Sequence, residues 1–100
     1  MKAVKVSYVV KPEFVEQNKA NIQKVMDWLK ANPIEGMMYS SYILDDGQTF
    51  VHFNVARDEA FSKLEDVKLF NDFRKALKES NPISSPKSES LNFIAAGFEI

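Results

Sequence analysis

One histidine, His52, and no cysteine occur among the 100 residues. Proton transfer near neutral pH therefore falls first to His52, whose imidazole titrates in that range. It sits in TFVHFNVA, directly ahead of RDEAFSKLEDVKLFNDFRKAL. The stretch Thr49 to Leu77 carries five of the eight phenylalanines, so any pocket has a wall here. On a strand facing a cavity, His52 would accept a phenolic proton from an aromatic substrate. Facing elsewhere, it is a histidine hydrogen-bonded within the sheet or a dimer interface.

Asn18 falls near the middle of an apolar helical stripe, where an unsatisfied primary amide costs roughly 1–3 kcal/mol. A ligand carbonyl, a tyrosine such as Tyr8, or a buried water would satisfy it. Asn54 and Asn92, both on expected strands, offer further amides, and Tyr8, Tyr39 or Tyr42 a hydroxyl. Trp28, Phe50, Phe61, Phe70 and Phe73 suit a flat aromatic ligand, and equally suit a core at these spacings.

Other chemistries lack their residues. One histidine without cysteine makes a zinc site a poor fit, and no His/Asp/Glu cluster has ligand spacing. No glycine-rich phosphate loop and no nucleophile-elbow serine occur. Thirteen basic residues against 14 acidic ones leave a formal charge of -1, without a global basic field for nucleic acid. Phe50-Val51-His52-Phe53 matches part of an RNA-recognition strand, but Asp46-Gly47-Gln48-Thr49 replaces the basic residue and glycines that precede it. No apolar run approaches the roughly 18 residues of a membrane span, and MKAVKVSYVVK forms no signal-peptide core. The expectation is a cytoplasmic protein, one domain over residues 1–100, with neither metal nor cofactor.

The elements that must position these groups follow from periodicity. Residues 3–10 alternate as a strand, with Val4, Val6, Tyr8 and Val10 on one face. A helix from about Pro12 to Ala31 places Phe14, Val15, Ile22, Val25, Met26 and Leu29 on one stripe, with Trp28 at its flank. Asn32-Pro33 ends it, because the residue before proline avoids the α region. MMYSSYIL and TFVHFNVA are strands joined by the turn Asp45-Asp46-Gly47-Gln48. Phe50, His52 and Asn54 share one face of the second of these; Val51, Phe53 and Val55 share the other. A second helical region breaks near Asp66, which is placed to cap its second piece. The stretch 80–90 is expected as a loop and Leu91 to Ile100 as the last strand.

The order β-α-β-β-α-β is that of an α+β, ferredoxin-like fold with an antiparallel sheet and both helices on one face. Apolar side chains on both sheet faces, Phe53 opposite Phe50 and Phe93 opposite Ile94, call for a homodimer packed sheet against sheet. This combination resembles the dimeric α+β barrel superfamily, and within it the antibiotic biosynthesis monooxygenase-like proteins. The resemblance covers nearly the whole chain. It rests on FVEQNKANIQKVMDWL, YILDDGQTFVHFNV, DEAFSKLEDVKLFNDFRKAL and LNFIAAGFEI. It implies homodimers with a cavity between sheet and helices in each subunit. Some members oxidise polycyclic phenols without metal or flavin, some degrade haem, and many have no assigned activity. Haem-degrading relatives place a histidine on the second helix, and none stands between Asp58 and Ser80 here. The resemblance thus implies an apolar or aromatic small-molecule substrate deprotonated with help from His52 and oriented by Asn18 and Asn54. A binding or scaffold dimer without chemistry is the alternative.

Overall fold

The computed structural model describes residues 1–100. Strand β1 (Lys2–Val9) leads through a 3-10 turn at Pro12–Phe14 into helix α1 (Val15–Ala31). Strands β2 (Met37–Ile43) and β3 (Thr49–Ala56) form a hairpin. A 3-10 segment (Phe61–Asp66), helix α2 (Lys68–Glu79) and strand β4 (Ser84–Leu91) complete the order. The sheet runs β2-β3-β1-β4, with every neighbouring pair antiparallel.

Proline starts and asparagine stops do what their chemistry favours. Pro12 occupies the first turn ahead of α1, where its missing N–H goes unused. Asn32, with ψ 66°, leaves the helical region ahead of Pro33. After α2, Asn81 takes φ 52°, the left-handed conformation that closes a helix C-terminus. In the β2–β3 connection Gly47 takes φ 71°, and Asp46 accepts the backbone N–H groups of Gln48 and Thr49.

The helical region does break where its apolar face rotates. Val67 has an extended ψ of 116°, and it occupies the N-cap position of α2. Asp66 makes no capping bond, contrary to the expectation from sequence. The junction is held instead by Asn71, whose backbone N–H donates to the Val67 carbonyl and whose Nδ2 donates to that of Glu65. Val67 itself is buried at the kink.

The last strand lies earlier than expected. Ser84–Leu91 pairs with β1, although its serines and Pro86 have low strand propensity. The register shifts opposite Tyr8, between the Ser7–Lys87 and Val9–Ser84 pairs, and Pro86 falls within that irregularity. Residues 92–100 carry no regular secondary structure, so Phe93, Ile94 and Asn92 are not on a strand.

Tyr8, Val10, Val25, Phe50, Phe73 and Leu77 are buried together between sheet and helices. Burying a side chain such as Leu77 contributes roughly 1.5–3 kcal/mol. The opposite sheet face carries Val9, Val51, Phe53, Val55 and Tyr42, whereas Val25, Phe73 and Leu77 of the helices pack on the Tyr8 and Phe50 face.

Candidate active-site cleft

Strand pairing decides which side chains meet. Ser41 and Val6 flank His52, and Tyr39 and Val4 flank Asn54, all on the helix-facing side. Between that face and α2 lies a cleft of about 1070 Å³. The sheet contributes Val4, Val6, Tyr39 and Asn54, with His52 and Tyr8 at the floor. Phe70, Phe73, Arg74 and Lys78 of α2 form the facing wall, and Ser85 and Ser88 of β4 form the side.

His52 is 3% exposed, and both its ring nitrogens are occupied. The Tyr8 hydroxyl is 2.7 Å from Nε2. On the other side, Ser41 Oγ is 2.6 Å and the Tyr39 hydroxyl 3.1 Å from Nδ1. Tyr8 and Tyr39 also stack on the imidazole, with centroids 5.4 and 5.9 Å away. Asn18 Nδ2 donates to the Tyr8 oxygen at 2.9 Å, as one sequence alternative anticipates.

These bonds assign the protons. With Asn18 donating to it, the Tyr8 O–H donates onward to Nε2, which makes His52 the Nδ1–H tautomer. That N–H faces the Ser41 oxygen and, at the longer distance, the Tyr39 hydroxyl oxygen. The array thus links Asn18 to Tyr39, whose side chain also lines the cleft. Burial lowers His52 to about 4, so the ring is neutral at pH 7. Burial also raises the Tyr8 and Tyr39 phenols above their ordinary range, keeping both protonated.

The sequence candidates separate into three groups. Asn54, Phe70 and Phe73 line the cleft, and the buried Asn54 Oδ1 has no hydrogen-bond partner within the chain. Asn18 and Phe50 lie behind it: Asn18 is wholly buried against Tyr8, and Phe50 stacks on Tyr8 in the core. Neither lines the cleft. Trp28 is outside altogether, 38% exposed on α1 and not among the cleft-lining residues. Tyr42 pairs with Val51 and points to the other sheet face. Ser41 and Arg74 were not singled out from sequence. Ser41 was within reach, since a hairpin centred between Asp46 and Gly47 sets it opposite His52. Arg74 resembled any other charge on a solvated helix face.

The α+β fold and its aromatic cleft define a class of small, single-sheet proteins with a pocket between the sheet and a helix. No family model matches the chain, and no curated protein matches it by sequence. Solved structures do match: the fold is that of the antibiotic biosynthesis monooxygenase-like proteins. A structure named as an antibiotic biosynthesis monooxygenase aligns at a TM-score of 0.77 and 12% identity, over 95% of this chain and 100% of the other. Rv0793 from Mycobacterium tuberculosis aligns at 0.80 and 16%, over 97% and 98%. A point mutant of SnoaB from Streptomyces nogalater, named a cofactor-independent oxygenase, aligns at 0.71 and 12%, over 98% and 97%. At these identities the likeness is one of fold.

Proposed function

We propose that the cleft binds a phenolic aromatic molecule and promotes its oxidation by dioxygen without metal or flavin. One observation supports this reading: the buried array of Asn18, Tyr8, His52 and Ser41 reaches Tyr39, whose side chain lines an aromatic cleft. Tyr39 holds the substrate oxyanion, Asn54 Oδ1 accepts from a second hydroxyl, and Phe70 and Phe73 pack the ring. His52 is a positioning residue here. Moving a proton from a phenol of pKa near 10 onto an imidazole near 4 costs on the order of 8 kcal/mol, so the phenolic proton leaves to water instead.

The electron-rich anion then adds to dioxygen at a ring carbon bearing hydrogen. The resulting hydroperoxide loses water to leave a carbonyl, so one oxygen atom enters the product and the other leaves as water. Removing a preorganised oxyanion donor typically costs about 10²–10³ in kcat. In oxygen-uptake assays with dihydroxynaphthalenes, wild-type protein is expected to exceed spontaneous autoxidation. Tyr39→Phe is expected to lose roughly that factor with KM little changed. Equal rates with and without the protein would end the enzyme reading.

A second reading, binding without chemistry, draws on the same low basicity of His52 and on the engagement of both its nitrogens. It predicts that the naphthalenes bind and leave unchanged. In either case the assembly proposed is a homodimer, with the face bearing Val9, Val51, Phe53 and Val55 covered by a second copy. Oligomers of the resembled superfamily and the apolar character of this face both support it.

A further inference from the structure

The charges around the cleft are unequal. Arg74, Lys75 and Lys78 line it, against Glu65 as the single acidic lining residue, in a chain with more acids than bases. Lys75 has Glu79 at 4.0 Å. Lys68 and Lys19 are likewise paired, with Asp72 and Glu16. Arg74 and Lys78 have no carboxylate partner, and their spacing of four residues sets them one above the other on α2. The Arg74 guanidinium lies 5.4 Å from the Phe70 ring centre, which is itself edge-on to Tyr39. Its charge also favours ionisation at the Tyr39 phenol, so its field reaches the donor end of the buried array. Across the cleft, β4 offers the hydroxyls of Ser85 and Ser88.

We infer that the cleft selects an aromatic molecule carrying a permanent carboxylate, seated on Arg74 and Lys78 while its ring packs on Phe70 and Phe73. This rests on the cleft being a ligand site for aromatic molecules, and it adds what that ligand must carry. The separation is chemical. An aromatic wall and a phenolic hydroxyl recognise any hydroxyarene, whereas two cations without a carboxylate partner at one rim add a preference for an anion over a neutral molecule. A guanidinium gives a carboxylate two parallel hydrogen bonds, and the lysine adds a point charge.

The test is calorimetric titration of the whole chain with 6-hydroxy-2-naphthoate and with its methyl ester, which share ring and phenol and differ in charge. Wild-type protein is expected to bind the acid about tenfold or more tightly than the ester, a preference that shrinks as salt is added. In Arg74→Gln/Lys78→Gln the two compounds should bind alike, with ester affinity kept. Lys19→Gln/Lys30→Gln removes the same charge from α1 and should keep the preference. Arg74→Lys should keep part of it, and thermal melts of each variant confirm folding. Equal affinity of wild type for acid and ester overturns the inference and leaves the aromatic cleft standing. An acid preference that survives in Arg74→Gln/Lys78→Gln also overturns it. Binding of neither compound removes the ligand site itself, and the inference with it.

Discussion

A histidine with both nitrogens committed behaves differently from one waiting for a proton. In the unfolded chain the imidazole titrates near 6.5, and in the folded chain near 4. Between those values the unfolded state binds more protons, so stability rises with pH across the window and is fully present above it. The contribution lost on acidification is on the order of 3 kcal/mol. Urea unfolding at a series of pH values should show that slope between about 4 and 6.5, and His52→Gln should flatten it. Nitrogen NMR at pH 7 should find His52 neutral and protonated on Nδ1, with Nε2 the acceptor. Tyr8→Phe leaves both Nε2 and Asn18 Nδ2 without a partner, and should cost about 1–3 kcal/mol in chemical unfolding.

At the scale of elements, the helices and the first three strands were legible because their own side chains encode them. Val4, Val6, Tyr8 and Val10 alternate, and Val25 and Ile22 mark a helical face, so burial and period agree. Strand β4 is the opposite case. SSPKSESL has no apolar alternation, and every one of its residues is exposed, so its conformation comes from the β1 backbone. The apolar segment after it looked more strand-like and carries no regular structure. The site shows the same division. Phe70 and Phe73 were read from their helical spacing, whereas Trp28 was misplaced because a flank position does not say which neighbour it meets. Backbone strain adds a test at this level. Gly36 has φ 81°, and a Cβ there would meet the Arg57 side chain at 3.0 Å. Gly36→Ala should lower stability by roughly 1–2 kcal/mol, measured by thermal or urea unfolding, with the hairpin otherwise retained.

Over the whole molecule, two faces of one sheet have different fates. The helix side buries Tyr8, Phe50 and His52 and keeps the cleft. The other side presents Val9, Phe53 and Val55, flanked by Tyr42 at 54% exposure. Sedimentation is expected to give a species of twice the 11.4 kDa chain mass. Phe53→Glu, which puts a charge at the centre of that face, should shift it to the monomer while circular dichroism stays unchanged.

Strand β4 also bears on how a ligand reaches the floor of the cleft. It is an outer strand held by one neighbour, without a buried side chain, and it supplies the Ser85 and Ser88 wall. Amide protons of such a segment exchange through brief local openings, well before those of the central strands. An opening of this kind would move the Ser85 and Ser88 wall and leave the Tyr8–His52 floor in place, the route by which the proposed ligand would enter.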